Sequence, residues 1–115
     1  MNAASFAADW IDAWNTHDLP RILSHYAEDA VLVSPRVREI LGDPSGMVCG
    51  KAALSSYFSQ GLARLPDLHF TFQSVYAGVE SMVVVYRAHD GRGVSELMVL
   101  DSDGLVREVR AHWME

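Results

Sequence analysis

Past Pro66 the chain carries four successive runs of β-branched and aromatic residues, parted by three short turn sequences. The runs are Leu68 to Ala77, Met82 to His89, Val94 to Leu100 and Leu105 to Trp113. The breaks are Gly78-Val79-Glu80-Ser81, Asp90-Gly91-Arg92-Gly93 and Asp101-Ser102-Asp103-Gly104. Connections this short join antiparallel neighbours and leave no room for a crossover, so the C-terminal half reads as a meander.

The N-terminal half follows the helical period instead. Phe6, Trp10 and Trp14 recur every four residues, with Ala3, Ala7 and Ala13 beside them. Asn15-Thr16-His17 ends this helix, because such residues compete for local backbone bonds. Asp18 has the marks of an N-cap, followed by Leu19 and by Pro20 in the first turn, and Leu19, Ile22, Leu23 and Tyr26 form a second apolar stripe. Ala30 to Ser34 reads as a strand held extended by Pro35, and residues 35–50 as irregular, with a turn at Gly42-Asp43-Pro44-Ser45-Gly46. A third helix follows Gly50, with Leu54, Tyr57, Phe58, Leu62 and Leu65 on one face and Pro66 as its stop. Helices then cover one face of a curved sheet, an α+β sandwich.

Composition narrows the function classes. A chain of 115 residues, half of them hydrophobic, is the size of one domain, here residues 1–115, and can bury a real core. A formal charge of −6 argues against binding nucleic acid or an anionic membrane. The longest apolar runs fall far short of the ~20 residues of a membrane span, and the N-terminus meets Asp9 and Asp12 without a basic residue, so a cytoplasmic location is expected. One cysteine, Cys49, excludes an intramolecular disulfide and reads as a small buried residue. No two of the five histidines stand at i, i+4, so no metal site is expected; His25 reads as a surface residue and His112 as part of the outer sheet face.

Four-residue loops at Asp90–Gly93 and Asp101–Gly104 set an expected register, with Arg87 opposite Glu96, Val85 opposite Met98 and Glu96 opposite Val109. One face then carries Val83, Val85, Met98, Leu100, Val109 and Trp113 with a single Arg87–Glu96 pair. That pair reads either as a partly exposed salt bridge or as a polar group kept in a concave pocket for a ligand. The opposite face is also apolar, which predicts a homodimer through the sheet.

Several stretches are recognisable. Trp10-Ile11-Asp12-Ala13-Trp14-Asn15-Thr16-His17-Asp18-Leu19, then His25-Tyr26-Ala27-Glu28-Asp29 and Ser34-Pro35, resemble the opening of SnoaL-like proteins. Gly50-Lys51-Ala52-Ala53, Pro66-Asp67-Leu68 with Phe70, Glu96 through Asp101 with Gly104, and Ala111-His112-Trp113 extend the likeness over nearly the whole chain. These proteins belong to the nuclear transport factor 2-like superfamily, together with ketosteroid isomerase and limonene epoxide hydrolase. The resemblance implies a cone-shaped, curved antiparallel sheet wrapped by three helices of the N-terminal half (a cystatin-like α+β barrel) around an apolar pocket, usually in a dimer.

Matched to ketosteroid isomerase motif by motif, Trp10 stands where the catalytic tyrosine would be. Ser34 stands at the proton-transferring aspartate and Glu96 at the oxyanion aspartate. An indole donates a hydrogen bond but no proton at neutral pH, and serine has no accessible pKa, so isomerisation by that route is not expected. Limonene epoxide hydrolase uses an Asp–Arg–Asp set; Arg87 and Glu96 could supply two of its members, with no third evident in the sequence. The candidate catalytic residues are therefore Glu96 and Arg87, with Trp10, Tyr26, Ser34, Phe58, Met98 and Trp113 lining a ligand pocket. Tyr26 has Ser34, Trp10 or a ligand as partners for its hydroxyl, and Trp14 reads as core. Two functions stay open: acid–base isomerisation or cyclisation of a hydrophobic carbonyl compound, and non-catalytic binding of a lipophilic small molecule. Neither requires a cofactor.

Overall fold

The computed structural model describes residues 2–115. Helix α1 (Ala3–Asn15) is capped by Asn2, whose side chain accepts from the Ser5 amide at 3.1 Å. It buries Ala7, Trp10, Ile11, Ala13 and Trp14. Asp18 caps α2 (Leu19–Leu23) by accepting from the Arg21 amide at 3.2 Å. Strand β1 (Tyr26–Val33) follows, then α3 (Pro35–Leu41), the short β2 (Met47–Cys49) and α4 (Lys51–Arg64). The meander completes the chain as β3 (Thr71–Gly78), β4 (Ser81–Arg87), β5 (Gly93–Leu100) and β6 (Val106–Trp113). All six strands form one sheet in the order β2-β1-β6-β5-β4-β3. Every pairing is antiparallel except β1 with β6, because the N-terminal strand enters the sheet beside the last one. Among the described residues no helix is long and apolar enough to cross a membrane.

Helix α3 lies in a stretch expected to be irregular, so four helices rather than three wrap the sheet. Its signals are local. Ser34 is extended (φ −154°, ψ 140°), as a residue before proline must be, and that is also the conformation of an N-cap. Its hydroxyl accepts from the Arg36 amide at 3.2 Å, Pro35 occupies the first turn, and Gly42 ends the helix at φ 67°.

The register of β4 corrects the sequence expectation. Arg87 stands opposite Gly93, and Glu96 stands opposite Val84. The loop is three residues long and begins earlier than expected. The Ala88 amide bonds Arg92 O at 2.9 Å, the Gly91 amide bonds Ala88 O at 2.9 Å, and Gly91 takes φ 86°. This is a type I turn closed by a left-handed glycine. It changes the pairing by an odd number of residues, which turns β4 over relative to β5. Val84, Tyr86 and Ala88 therefore face the core with Glu96 and Met98, while Arg87 turns outward and bonds Gly91 O at 2.8 Å.

The β5–β6 hairpin also has a three-residue loop, but a bulge between Val99 and Leu100 shifts the register once more. Glu96 pairs with Ala111 instead of Val109, an even displacement that keeps it on the inner face.

Two smaller expectations also change. Cys49 is exposed, since β2 is an edge strand that turns only Val48 inward. His25 is buried: Phe6 packs edge-on against its ring at 5.1 Å, and Nε2 meets Asp9 Oδ2 at 2.7 Å. Asp9 also receives Arg21 at 2.5 Å, so one carboxylate ties α1 both to α2 and to the residue preceding β1.

Candidate functional site

Between the helices and the inner sheet face lies a cavity of about 90 Å³. Its wall from α1 is Trp10 and Trp14, and α4 adds Tyr57 and Phe58. The sheet supplies Tyr26 and Leu32 from β1, Tyr86 from β4, Glu96 from β5, and Ala111 and Trp113 from β6. Phe70 lies within 5.9 Å of the Trp10 ring and 4.3 Å of the Tyr86 ring, closing one side with aromatic surface. The mouth is marked by the more exposed lining residues, His89 and the half-buried Arg36 and Trp113.

Glu96 is the one acidic residue of this wall, and it is 7% exposed. Alternation along β5 places it there: Val94, Glu96, Met98 and Leu100 all turn inward. Among the described residues no cation pairs with it. Burial pushes its pKa up to about 7, and the hydrogen bond donated by the Tyr86 hydroxyl opposes only part of that rise.

The surrounding phenols are held protonated by the same environment. Burial raises the pKa of Tyr86 well above the ordinary phenol value, and the nearby Glu96 charge raises it further. Burial raises Tyr26 as well, again reinforced by Glu96 and opposed by the hydrogen bond from Trp10. Tyr57 is raised by burial first and Glu96 second, with Arg36 opposing. The site thus presents neutral hydroxyl donors around one carboxyl group whose proton is easily gained and lost near neutrality.

Two donors remain open. Trp10 Nε1 donates to Tyr26 Oη at 3.0 Å, inside the protein, so the indole polarises the phenol rather than reaching a ligand itself. Among the described residues the Tyr26 proton meets no acceptor. Trp14 Nε1 is buried with no hydrogen-bond partner among the described residues, and an orphaned buried donor is uncommon in a folded protein. An occupant with oxygen acceptors fits such a wall.

Of the residues expected from sequence, Glu96, Trp10, Tyr26, Ser34, Phe58 and Trp113 come together around the cavity. Met98 is fully buried one step further along β5 and lies outside the lining. Arg87 is exposed on the other side of the sheet and forms no pair with Glu96. The two-member match to an Asp–Arg–Asp set therefore does not assemble. Ser34 spends its hydroxyl on the cap of α3.

Sequence reasoning missed Tyr86, Tyr57, Phe70 and Arg36. Tyr86 was hidden by the β4 register and Arg36 by the unrecognised α3. Tyr57 sits on the apolar face of α4 beside Phe58, which marks it as buried without marking it as lining.

The chain matches the model of the SnoaL-like domain over residues 7–109. It belongs to the SnoaL-like family. No curated protein matches it. Among solved structures it is similar to a SnoaL-like protein of unknown function from Burkholderia thailandensis, at 41% identity and a TM-score of 0.94, covering 98% of this chain and 94% of that one. A protein of unknown function with a cystatin-like fold from Methylobium petroleophilum shares 17% identity at a TM-score of 0.78, covering all of this chain and 79% of the other. A protein with a ketosteroid isomerase-like fold from Catenulispora acidiphila, solved with trimethylamine, shares 15% identity at a TM-score of 0.75 over 96% and 86% of the two chains. The last two likenesses concern the fold alone.

Proposed function

We propose that this SnoaL-like domain binds a small hydrophobic carbonyl compound and moves protons on it with Glu96. The observation that carries this reading is a carboxyl group buried without a counter-ion, its pKa raised to about 7, in an aromatic cavity with an open phenol donor. In the ionised form Glu96 takes a proton from the carbon next to the carbonyl. The C–H electron pair moves into the carbon framework and the carbonyl π pair moves onto oxygen. Tyr26, polarised by Trp10, donates to that oxygen. Return of the proton from Glu96 to another carbon completes an isomerisation. Attack of the same carbanion on a second carbonyl, with the Glu96 proton passing to the new alkoxide, completes a cyclisation.

The test is exchange of deuterium from solvent into cyclic ketones and polyketide-like diketones, followed by proton NMR. Exchange above the buffer rate that is lost in Glu96→Gln supports the reading; no exchange with any ketone that demonstrably binds overturns it.

A second reading is non-catalytic binding of a lipophilic compound, and Ser34 favours it, since the position matched to a proton-transferring aspartate holds a hydroxyl that caps α3 rather than an acid. Ligands that change the indole fluorescence of Trp10 and Trp113 yet are recovered unaltered distinguish this case.

The reading includes a homodimer. Val83, Val85, Leu97 and Val99 form an apolar strip on the outer sheet face, and β6 adds Glu108 beside Arg110 at 4.0 Å. Both charge signs at its border suit pairing with a second, two-fold related copy. Sedimentation equilibrium giving a monomer at micromolar concentration removes this part. A cytoplasmic setting belongs to the same reading, in keeping with the free thiol of Cys49.

A further inference from the structure

Arg36 is the one arginine or lysine in the cavity wall, and it stands at the mouth. Its guanidinium lies 4.2 Å from the centroid of the Trp113 ring, while Arg92 approaches the same ring at 5.3 Å. Stacking of this kind holds the planar group in place and leaves its edge free for oxygen acceptors. The edge is largely unclaimed. Of five N–H donors, one bonds Glu39 at 3.3 Å, and the other acidic neighbour, Asp90, stays at 3.7 Å. Both distances exceed the 2.7–2.9 Å of a tight charge-assisted bond. Both carboxylates are also more exposed than the arginine, at 57% and 38% against 22%.

We propose that the ligand of this cavity is an apolar carboxylate whose acid group is taken by Arg36 at the mouth while its apolar body lies along the aromatic wall toward Glu96. The inference rests on the reading that the cavity binds a small molecule, and adds the charge of that molecule. Trp113 pairs with Val94, and Glu96 pairs with Ala111 two residues deeper, so the two levels are roughly 7 Å apart along the strands. A compact acid spans that distance. Two features require a specific cation for it: the chain carries −6, which repels anions from afar, and the deeper end of the cavity holds the buried acid. A carboxylate bound the other way round would stand against Glu96.

The experiment is calorimetric titration of the whole protein with cyclohexylacetate, its methyl ester and cyclohexylethylamine, which share one apolar body and differ in charge. Acid binding about tenfold or more tighter than the ester is expected, in the range of a hydrogen-bonded charge pair. Arg36→Gln abolishes that preference and leaves ester binding within about twofold, which separates loss of the pair from loss of the fold. Arg36→Lys keeps part of the preference, and Arg92→Gln keeps it all, since Arg92 lies outside the cavity wall. Equal binding of acid and ester, an unchanged preference in Arg36→Gln, or tightest binding of the amine overturns the assignment to Arg36 while leaving a ligand cavity in place. Failure of all three probes and of the ketone panel overturns the cavity reading, and the inference with it.

Discussion

Tyr86 and Glu96 are joined by a hydrogen bond from the phenol to the carboxyl group although they are not register partners: Tyr86 stands opposite Val94 and Glu96 opposite Val84. They are diagonal neighbours on the inner face, a separation that long side chains bridge. The contact exists only because the hairpin turn begins at His89.

Removing that phenol tests how the site is tuned. The hydrogen bond lowers the Glu96 pKa against the rise caused by burial, so Tyr86→Phe moves the Glu96 midpoint above about 7. Carboxyl carbon NMR across a pH series reads this directly, and a midpoint that falls contradicts it. At pH values where Glu96 is ionised the variant also loses about 2 kcal/mol, the worth of a bond to a charged group.

Stability should decline between about pH 4.5 and 7. The folded pKa of Glu96 is raised from 4.5 to about 7, so the native state keeps a proton that the unfolded chain has already released. This contribution is fully present below pH 4.5, falls across that window and is gone above about 7. Its size is on the order of 3 kcal/mol, from 1.36 kcal/mol per pKa unit. Glu96→Gln flattens the slope of urea stability against pH, and an unchanged slope places the effect elsewhere.

Asp9 acts in the opposite sense at lower pH. Arg21 chiefly, and His25 after it, hold its carboxyl below the usual carboxylate range despite some opposing burial. A depressed folded pKa stabilises above the unfolded value of 3.8, and the benefit is lost as pH falls through the folded pKa. Because Asp9 is half exposed, solvent screening limits this contribution to no more than about 1 kcal/mol. Asp9→Asn therefore narrows the stability difference between pH 5 and 3, measured by denaturant midpoints at both.

Gly91 carries the turn that sets the β4 register. It takes φ 86°, and a Cβ there meets nothing within 4 Å, so any cost of Gly91→Ala is backbone strain rather than a clash. We expect a loss of about 1 kcal/mol in thermal or urea unfolding. Gly46→Ala adds a contact of 3.1 Å with Ser34 O to a φ of 67° and should cost more.

Much of this protein was legible in its residues. Trp10 and Trp14 mark the buried face of α1, Asp18 caps α2, and the β-branched runs mark β4 to β6, because helical and strand periods differ and short polar caps have few alternatives. Glu96 was legible as the acidic half of an expected pair with Arg87 on an apolar face, and its inward orientation survived because the β5–β6 register moved by an even count. The side-chain period of a strand is two, so parity decides which face a residue takes. Arg87 was misplaced for the same reason: a three-residue loop turned β4 over and exchanged it for Tyr86. Ser34-Pro35 suits a strand end and a helix cap at once, and with Gly42 as the stop it marks α3, which the strand reading of that stretch passed over. His25 became buried because Asp9, sixteen residues earlier, supplies its partner. Local sequence determined the elements and their caps; the tertiary structure decided loop register, and through it which polar groups share the dry interior.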